Sequence, residues 1–211
     1  MKKHLLFGLL VASLSLAASA TTVSINFSGK VTSVTIANGG PDLGFAVVGD
    51  TFAGTWTYDT AGSAIGPITF GEAYATGQIS TLTLGGNTYE QTVAGSMGVF
   101  NDYPGIGDEL EESSGFDISP AVPSGIFGAR YGIAFRDTTG TLFNSTALPN
   151  SASLSQFDFA VLNLSWIDTS GDFIYNISGS ITIPAKTVPE PASLTLLICG
   201  LITARGLRRR A

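Results

Sequence analysis

Cysteine and histidine are nearly missing from this sequence, and each occurs once, at opposite ends of the chain. Cys199 lies near the C-terminus and His4 near the N-terminus, so residues 21–187 contain neither. Without a cysteine pair no disulfide can brace this part of the chain, and a hydrophobic core must stabilise it. Ser-His-Asp and Cys-His catalysis are excluded there, together with ordinary zinc, copper and haem sites. Carboxylate chemistry, Ca²⁺ or Mg²⁺ binding, or no catalysis at all remain.

Positive charge is scarce away from the two ends. Residues 21–190 contain all 16 acidic residues against four basic ones, which gives this segment a net charge of −12, whereas the whole chain carries −6. The four basic residues are Lys30, Arg130, Arg136 and Lys186. An acidic surface repels nucleic acid and anionic lipid, so we expect no nucleic-acid partner. Divalent cations or basic partners suit such a surface better.

Residues 1–20 have the pattern of a secretory signal peptide. A positive start at Met1–His4 precedes the apolar run Leu5–Leu16, and Ala18-Ser19-Ala20 supplies the small residues that a signal peptidase reads. This pattern predicts cleavage between Ala20 and Thr21, with export of everything that follows.

The C-terminal segment 188–211 combines a Pro-Glu-Pro tripeptide, an uncharged apolar run and a basic cluster. The tripeptide is Pro189, Glu190 and Pro191, the run is Ala192–Ala204, and the cluster is Arg205, Arg208, Arg209 and Arg210. The run is shorter than the ~20 residues that usually span a bilayer, but arginine snorkelling and local thinning offset the deficit. The arginines keep this end cytoplasmic. The prolines stop a helix from extending upstream and leave the tripeptide extended and accessible. A plain tail anchor and a C-terminal core helix are the alternatives.

This order of features resembles the PEP-CTERM sorting signal of Gram-negative bacteria that make exopolysaccharide. The resemblance covers residues 188–211 and implies recognition by an exosortase, a membrane-embedded enzyme similar to cysteine transpeptidases, with processing at or near Pro189–Pro191. Signal peptidase and exosortase would then be the processing partners. The protein would be anchored transiently in the inner membrane and reach the cell surface or the extracellular space. The stretch "VGDTFAGTWTYD" (Val48–Asp59) is similar, less specifically, to a pattern in the bodies of other proteins with this tail.

The body, residues 21–187, is predicted to be all-β. In "TVSINFSG" the apolar residues Val23, Ile25 and Phe27 alternate with polar ones, as in a half-buried strand. Gly85-Gly86-Asn87 predicts a hairpin turn between strands at 79–84 and 88–93. Further strands are expected at 51–59, 127–135, 157–166 and 173–183, and a helix of one or two turns near 71–76. The pattern favours a single antiparallel β-sandwich of jelly-roll type, and a β-solenoid is the alternative.

Two kinds of binding site can be read from the residue types in the body. Trp56 and Tyr58 share one face of a strand that Asp59 ends in an Asx turn; they are either core residues or a platform for sugar stacking, and we favour the core. Trp166, beside the loop 168–172, has the same two interpretations. The segment "NDYPGIGDELEE" concentrates carboxylates that could ligate Ca²⁺ if it forms a flexible loop. Its acidic residues are Asp102, Asp108, Glu109, Glu111 and Glu112. A solvated acidic loop without metal is the favoured interpretation, and Asp168–Asp172 is a second, weaker calcium candidate.

Two functions are compatible with these patterns. The first is a noncatalytic surface or matrix protein, without a cofactor, that is associated with exopolysaccharide or biofilm. The second is a secreted carbohydrate-active enzyme, which would need two carboxylates ~5–9 Å apart, one of them with a raised pKa. The sequence alone selects no such pair, so we favour the first function. Ice or mineral binding is a third option, which the scattered threonines support poorly.

Overall fold

The structure is a computed structural model that describes residues 21–37, 40–89, 91, 95–116 and 126–185. The predicted signal peptide and the Pro-Glu-Pro segment therefore lie outside the described residues. Within those residues the protein is all-β, as predicted, with a single short 3-10 turn at Leu154–Gln156. The strands are β1 (Thr22–Ile36), β2 (Thr51–Asp59), β3 (Ala64–Ile68), β4 (Gly71–Tyr74), β5 (Gln78–Leu84), β6 (Asn87–Tyr89), β7 (Ser96–Tyr103), β8 (Gly107–Phe116), β9 (Ile126–Asp137), β10 (Phe159–Asp168) and β11 (Phe173–Ile181).

The eleven strands of the described residues join one large sheet whose neighbours run antiparallel. The order is β3-β4-β7-β8-β9-β10-β11-β1-β2-β5-β6, and the sheet is open, with β3 and β6 at its edges. A β-solenoid stacks parallel strands, so that alternative is wrong for the described residues.

The sheet curls over so that strands from its two halves face each other. Trp56 on β2 and Glu112 on β8 are separated by five strand steps, which amounts to ~24 Å in a flat sheet. Nevertheless the indole N–H of Trp56 donates a hydrogen bond to the Glu112 carboxyl group. The Trp56 ring also lies 5.4 Å, centroid to centroid, from the ring of Phe135 on β9. The inner faces of β2 and β9 therefore pack against one another.

The core lies between these inner faces and is rich in aromatic rings. Val23, Ile25 and Phe27 are buried on the inner face of β1, as their alternation predicts. The ring of Phe52 covers Gly29 and Gly179 on neighbouring strands, where a methyl group would lie 2.5 Å and 2.3 Å from its carbons. Such aromatic-glycine contacts pin the register of strands that lack larger side chains.

The predicted hairpin is confirmed as far as Tyr89, since residues 90, 92 and 93 of its second strand lie outside the described residues, and the predicted helix is wrong. Gly85 and Gly86 have positive φ angles of 58° and 83° and form a two-residue turn between β5 and β6. Asn87 belongs to the strand rather than to the turn. The segment predicted as a helix near 71–76 instead contains strand β4, because β3 and β7 pair with it on either side. Tertiary pairing of this kind overrides weak local preferences.

The strands expected in the second half of the body are confirmed with shifted ends. β9 runs on to Asp137, β10 begins at Phe159 after the 3-10 turn, and β11 ends at Ile181. These three strands form the middle of the sheet. They connect the half that carries β7 and β8 to the half that carries β1 and β2.

Candidate functional site

The acidic segment "NDYPGIGDELEE" is part of a hairpin, and the prediction that it is a solvated loop is wrong. β7 and β8 pair around a short turn at 104–106. β8 alternates, so that Asp108, Leu110 and Glu112 point into the core while Glu109 and Glu111 lie on the outer face. Asp108, Glu109 and Glu112 are all buried. Strand pairing and burial of Leu110 outweigh the preference of these carboxylates for water.

The five predicted calcium ligands are therefore divided between two faces of the sheet. Asp102 is exposed and has a positive φ of 54°, which is unusual for a residue other than glycine. In the part of the chain that the structure describes, no group of three or more His, Cys, Asp or Glu side chains is arranged to hold a metal ion. Calcium binding by this segment stays a prediction.

Asp108 ties the β7–β8 hairpin to the loop that follows β9. Its Oδ1 accepts a hydrogen bond of 2.9 Å from the backbone N–H of Asp102, and its Oδ2 accepts one of 2.6 Å from that of Phe143. Asp137, its partner in register on β9, accepts hydrogen bonds from the backbone N–H and hydroxyl groups of Thr139 and Thr141. Both carboxylates satisfy backbone donors and so shape this end of the sheet.

Glu112 lies at the centre of a buried polar network that joins the two halves of the sheet. One carboxyl oxygen accepts a hydrogen bond from Trp56 Nε1, and the other is bonded to the hydroxyl group of Tyr131. That hydroxyl also contacts the side chain of Gln91, whose Oε1 accepts a hydrogen bond of 2.8 Å from the backbone N–H of Ile79. Burial raises the pKa of Glu112 from 4.5 to about 7, although its hydrogen bonds to Tyr131, Trp56 and Gln91 oppose the shift.

The Glu112 carboxyl group approaches an open cleft without reaching it. A methyl group placed on Gly77 would lie 2.7 Å from Glu112 Oε2, so the glycine backbone packs directly against the carboxyl group. Gly77 also lines a cleft of about 280 Å³, together with Thr22, Thr57, Tyr58, Asp59, Ala75 and Thr76. Gly77 thus separates the cleft from the buried acid, which itself is completely inaccessible to solvent.

On the outer face, Glu109 forms an ion pair with Arg136. Nε of Arg136 donates to Glu109 Oε2 at 2.9 Å, and a second guanidinium nitrogen donates to Oε1 at 3.3 Å. The guanidinium carbon lies 5.4 Å from the centre of the Phe159 ring. Beside this pair, burial raises the pKa of Glu111, with a smaller contribution from the charge of Glu109.

The aromatic residues favoured as core are confirmed in that role. Trp56 and Trp166 are completely buried, and Tyr58 is nearly so, with its hydroxyl donating to the Pro149 carbonyl at 2.8 Å. Their faces are therefore unavailable for sugar stacking. Asp59 accepts a hydrogen bond of 2.8 Å from the N–H of Ala61, which confirms the Asx turn.

The carboxylate of Asp168, in the weaker calcium candidate, accepts hydrogen bonds from the backbone of the turn that follows it. Its Oδ1 accepts hydrogen bonds of 2.8 Å from the N–H of Ser170 and 3.0 Å from that of Asp172. This turn joins β10 to β11 and is closed further by backbone hydrogen bonds between Asp168, Gly171 and Asp172.

Sequence reasoning missed the network around Glu112 and the ion pair of Arg136. In "DELEE" the single apolar residue Leu110 is the only sign of a strand, and four acidic neighbours together with the adjacent turn residues favoured a loop. Comparison with known protein families, with curated proteins and with solved structures finds no match to this chain. In the described ranges no helix has the length and apolar character needed to cross a membrane.

Proposed function

We propose that this is an exported protein that an exosortase sorts to the cell surface or the extracellular matrix, and that it acts there without catalysis, in association with exopolysaccharide. The observation that carries the proposal is the order of features in the sequence. A signal peptide at 1–20 precedes the body, and Pro189-Glu190-Pro191, an apolar run and four arginines follow it. The tail would be temporary, like the hydrophobic signal that a GPI anchor replaces.

The extent of the β-domain supports these boundaries. Among the described residues, the first strand begins at Thr22, directly after the predicted cleavage site, and the last ends at Ile181, before the Pro-Glu-Pro segment. We propose that the domain is a β-sandwich of jelly-roll type. The contacts between β2 and β8–β9 across the curled sheet support the sandwich arrangement.

The second candidate function is a carbohydrate-active enzyme, and the raised pKa of Glu112 favours it, because a general acid needs a proton near neutral pH. Its burial argues against this role. Both carboxyl oxygens already have partners in Trp56 and Tyr131, and Gly77 lies between the carboxyl group and the nearest cleft. A general acid must come within hydrogen-bonding reach of its substrate. We therefore keep the noncatalytic function.

The C-terminus of the protein recovered from its native host tests the sorting proposal. We expect the intact mass and the C-terminal peptide to show an end near Pro189–Pro191, in some cases with an added group. Pro189→Ala combined with Pro191→Ala should leave the tail uncut, whereas Pro184→Ala, a proline outside the motif, should be processed normally. An end at Ala211 in the membrane fraction of the wild type would identify a tail anchor and refute exosortase processing.

A further inference from the structure

The outer face of the sheet carries a row of side chains that the proposed function does not yet use. Phe100, Glu109, Arg136 and Phe159 are consecutive partners in register across β7, β8, β9 and β10. We call this row, together with Tyr103 and Phe70, whose rings stack in series beside Phe100, the outer strip. Three strand steps make it ~14 Å long. Its charged pair is central, and an aromatic ring stands at either end.

At one end of the strip, three aromatic rings are nearly parallel. The Phe100 and Tyr103 rings are 5.6 Å apart with an interplanar angle of 18°, and Tyr103 and Phe70 are 5.3 Å apart at 27°. The Phe100 ring lies flat against the sheet, because a methyl group on Gly98 would lie 2.7 Å from it and one on Gly71 would lie 3.0 Å from it. The glycine backbones thus form a floor under the aromatic group.

Phe70 adopts a backbone conformation that a phenylalanine ordinarily avoids. Its φ is 62°, and half of its surface is exposed to solvent. Glycine would satisfy this backbone more easily, and a buried position would suit the ring better. Phe70 lies in the two-residue turn between β3 and β4, and this turn leaves its ring exposed while it stacks on Tyr103.

From this arrangement we propose that the outer strip binds a neutral polysaccharide, with the apolar faces of its sugar rings against Phe70, Tyr103 and Phe159. Arg136, whose side chain is 30 % exposed while that of its ion-pair partner Glu109 is only 3 % exposed, would donate hydrogen bonds to the sugar hydroxyl groups between these rings. Sugars match the strip because they combine apolar C–H faces with hydroxyls that both donate and accept. This inference rests on the proposed association with exopolysaccharide and names its site.

Charge and size select this ligand over others. Residues 21–190 carry a net charge of −12, which repels polyanions such as polyuronates and nucleic acid. The strip is ~14 Å long across the strands and, from Phe100 to Tyr103, ~10 Å wide along them. A specific protein interface usually needs ~800 Å² from each partner, which is several times the area of this strip. A single polysaccharide chain is narrow enough to make its contacts within the area of the strip.

Affinity electrophoresis of the mature protein tests the inference, with a neutral β-glucan, a neutral mannan and a polyuronate as probes in separate gels. We expect at least one neutral probe to retard the wild type. Tyr103→Ala and Phe70→Gly should each raise the dissociation constant read from that retardation by about two- to tenfold, the range expected for losing one stacked ring. Tyr103→Phe keeps the ring and should bind like the wild type.

Phe173→Ala is the matched control, because Phe173 is an equally exposed phenylalanine on β11, away from the strip. Phe70→Gly relieves the positive φ, so its loss of binding would not come from unfolding. Equal retardation of Tyr103→Ala and Phe173→Ala would place the site elsewhere and leave the association with polysaccharide intact. If no probe retards the protein, or only the polyuronate does, the inference is overturned. The sorting proposal is tested separately, by the mass of the C-terminal peptide. A dimer that Tyr103→Ala dissociates, without any glycan binding, would identify a protein interface instead.

Discussion

At the scale of single residues, Glu112 couples the protonation of one side chain to the stability of the whole domain. Its pKa is about 7 in the folded protein and 4.5 in its ordinary, solvated state. Below pH 4.5 the group is protonated in both states. Between 4.5 and 7 the unfolded chain releases the proton that the folded chain keeps, so stability must fall as pH rises through this interval.

We predict that Glu112→Gln abolishes this pH dependence. A shift from 4.5 to about 7 corresponds to a loss on the order of 3 kcal/mol between pH 4.5 and 7. Glutamine does not titrate, and it can still accept from Trp56 and donate to Tyr131. Urea unfolding at several pH values from 4.5 to 8 should show a flatter profile for Glu112→Gln. Glu72→Gln, on β4, should follow the wild type, and parallel profiles for Glu112→Gln and wild type would contradict the shifted pKa.

At the scale of strands, glycine positions decide where aromatic rings can lie. Phe27 is the register partner of Gly54, and Phe52 is the register partner of Gly29. The two pairs are reciprocal: each phenylalanine of one strand lies opposite a glycine of the other. The rings of Phe27 and Phe52 then meet edge to face at 6.4 Å.

We predict that Gly179→Ala destabilises the domain and that Gly132→Ala does not. A methyl group at Gly179 would lie 2.3 Å from Phe52, so the ring must move, at a cost of about 1–3 kcal/mol or more. At Gly132 on β9 the nearest atom would be 3.7 Å away, which is an ordinary contact. Alanine there also lowers the entropy of the unfolded chain, so stability should be equal or slightly higher. Denaturant midpoints measure both effects, and equal midpoints for the two variants would show that Phe52 does not cover Gly179.

Strand identity could be predicted from local alternation, but strand neighbours could not. The alternation of Val23, Ile25 and Phe27 correctly indicates which side of β1 is buried. It contains no information about pairing with β11, whose residues lie far along the chain. The β7–β8 hairpin was missed because a segment rich in carboxylates is typical of a solvated loop. Its pairing with β9, which stabilises it as a strand, cannot be read from the local sequence.

At the scale of the whole molecule, the curl of the sheet brings β2 and β8 together and places the Trp56–Glu112 hydrogen bond between them. We predict that Trp56→Phe and Glu112→Leu are coupled by about 1–3 kcal/mol in a double-mutant cycle at pH 8. Either change alone leaves a buried polar group without its partner, whereas both together remove the pair. Trp56→Phe combined with Glu72→Gln should be additive within ~0.5 kcal/mol. Additivity in the first cycle would mean that β2 and β8 do not meet.

What the sequence by itself determined is the β character of residues 21–187, the acidity of residues 21–190, the absence of histidine and cysteine chemistry from 21–187, and the sorting signals proposed at the two ends. These properties depend on residue composition and on the order of neighbouring residues, and both can be read directly from the sequence. Only the tertiary structure decided that Glu112 is buried against Trp56, and that Phe100, Glu109, Arg136 and Phe159 share one row. Alternation fixes the face of a side chain, whereas pairing between distant strands fixes its neighbours, and that pairing results from packing the entire core.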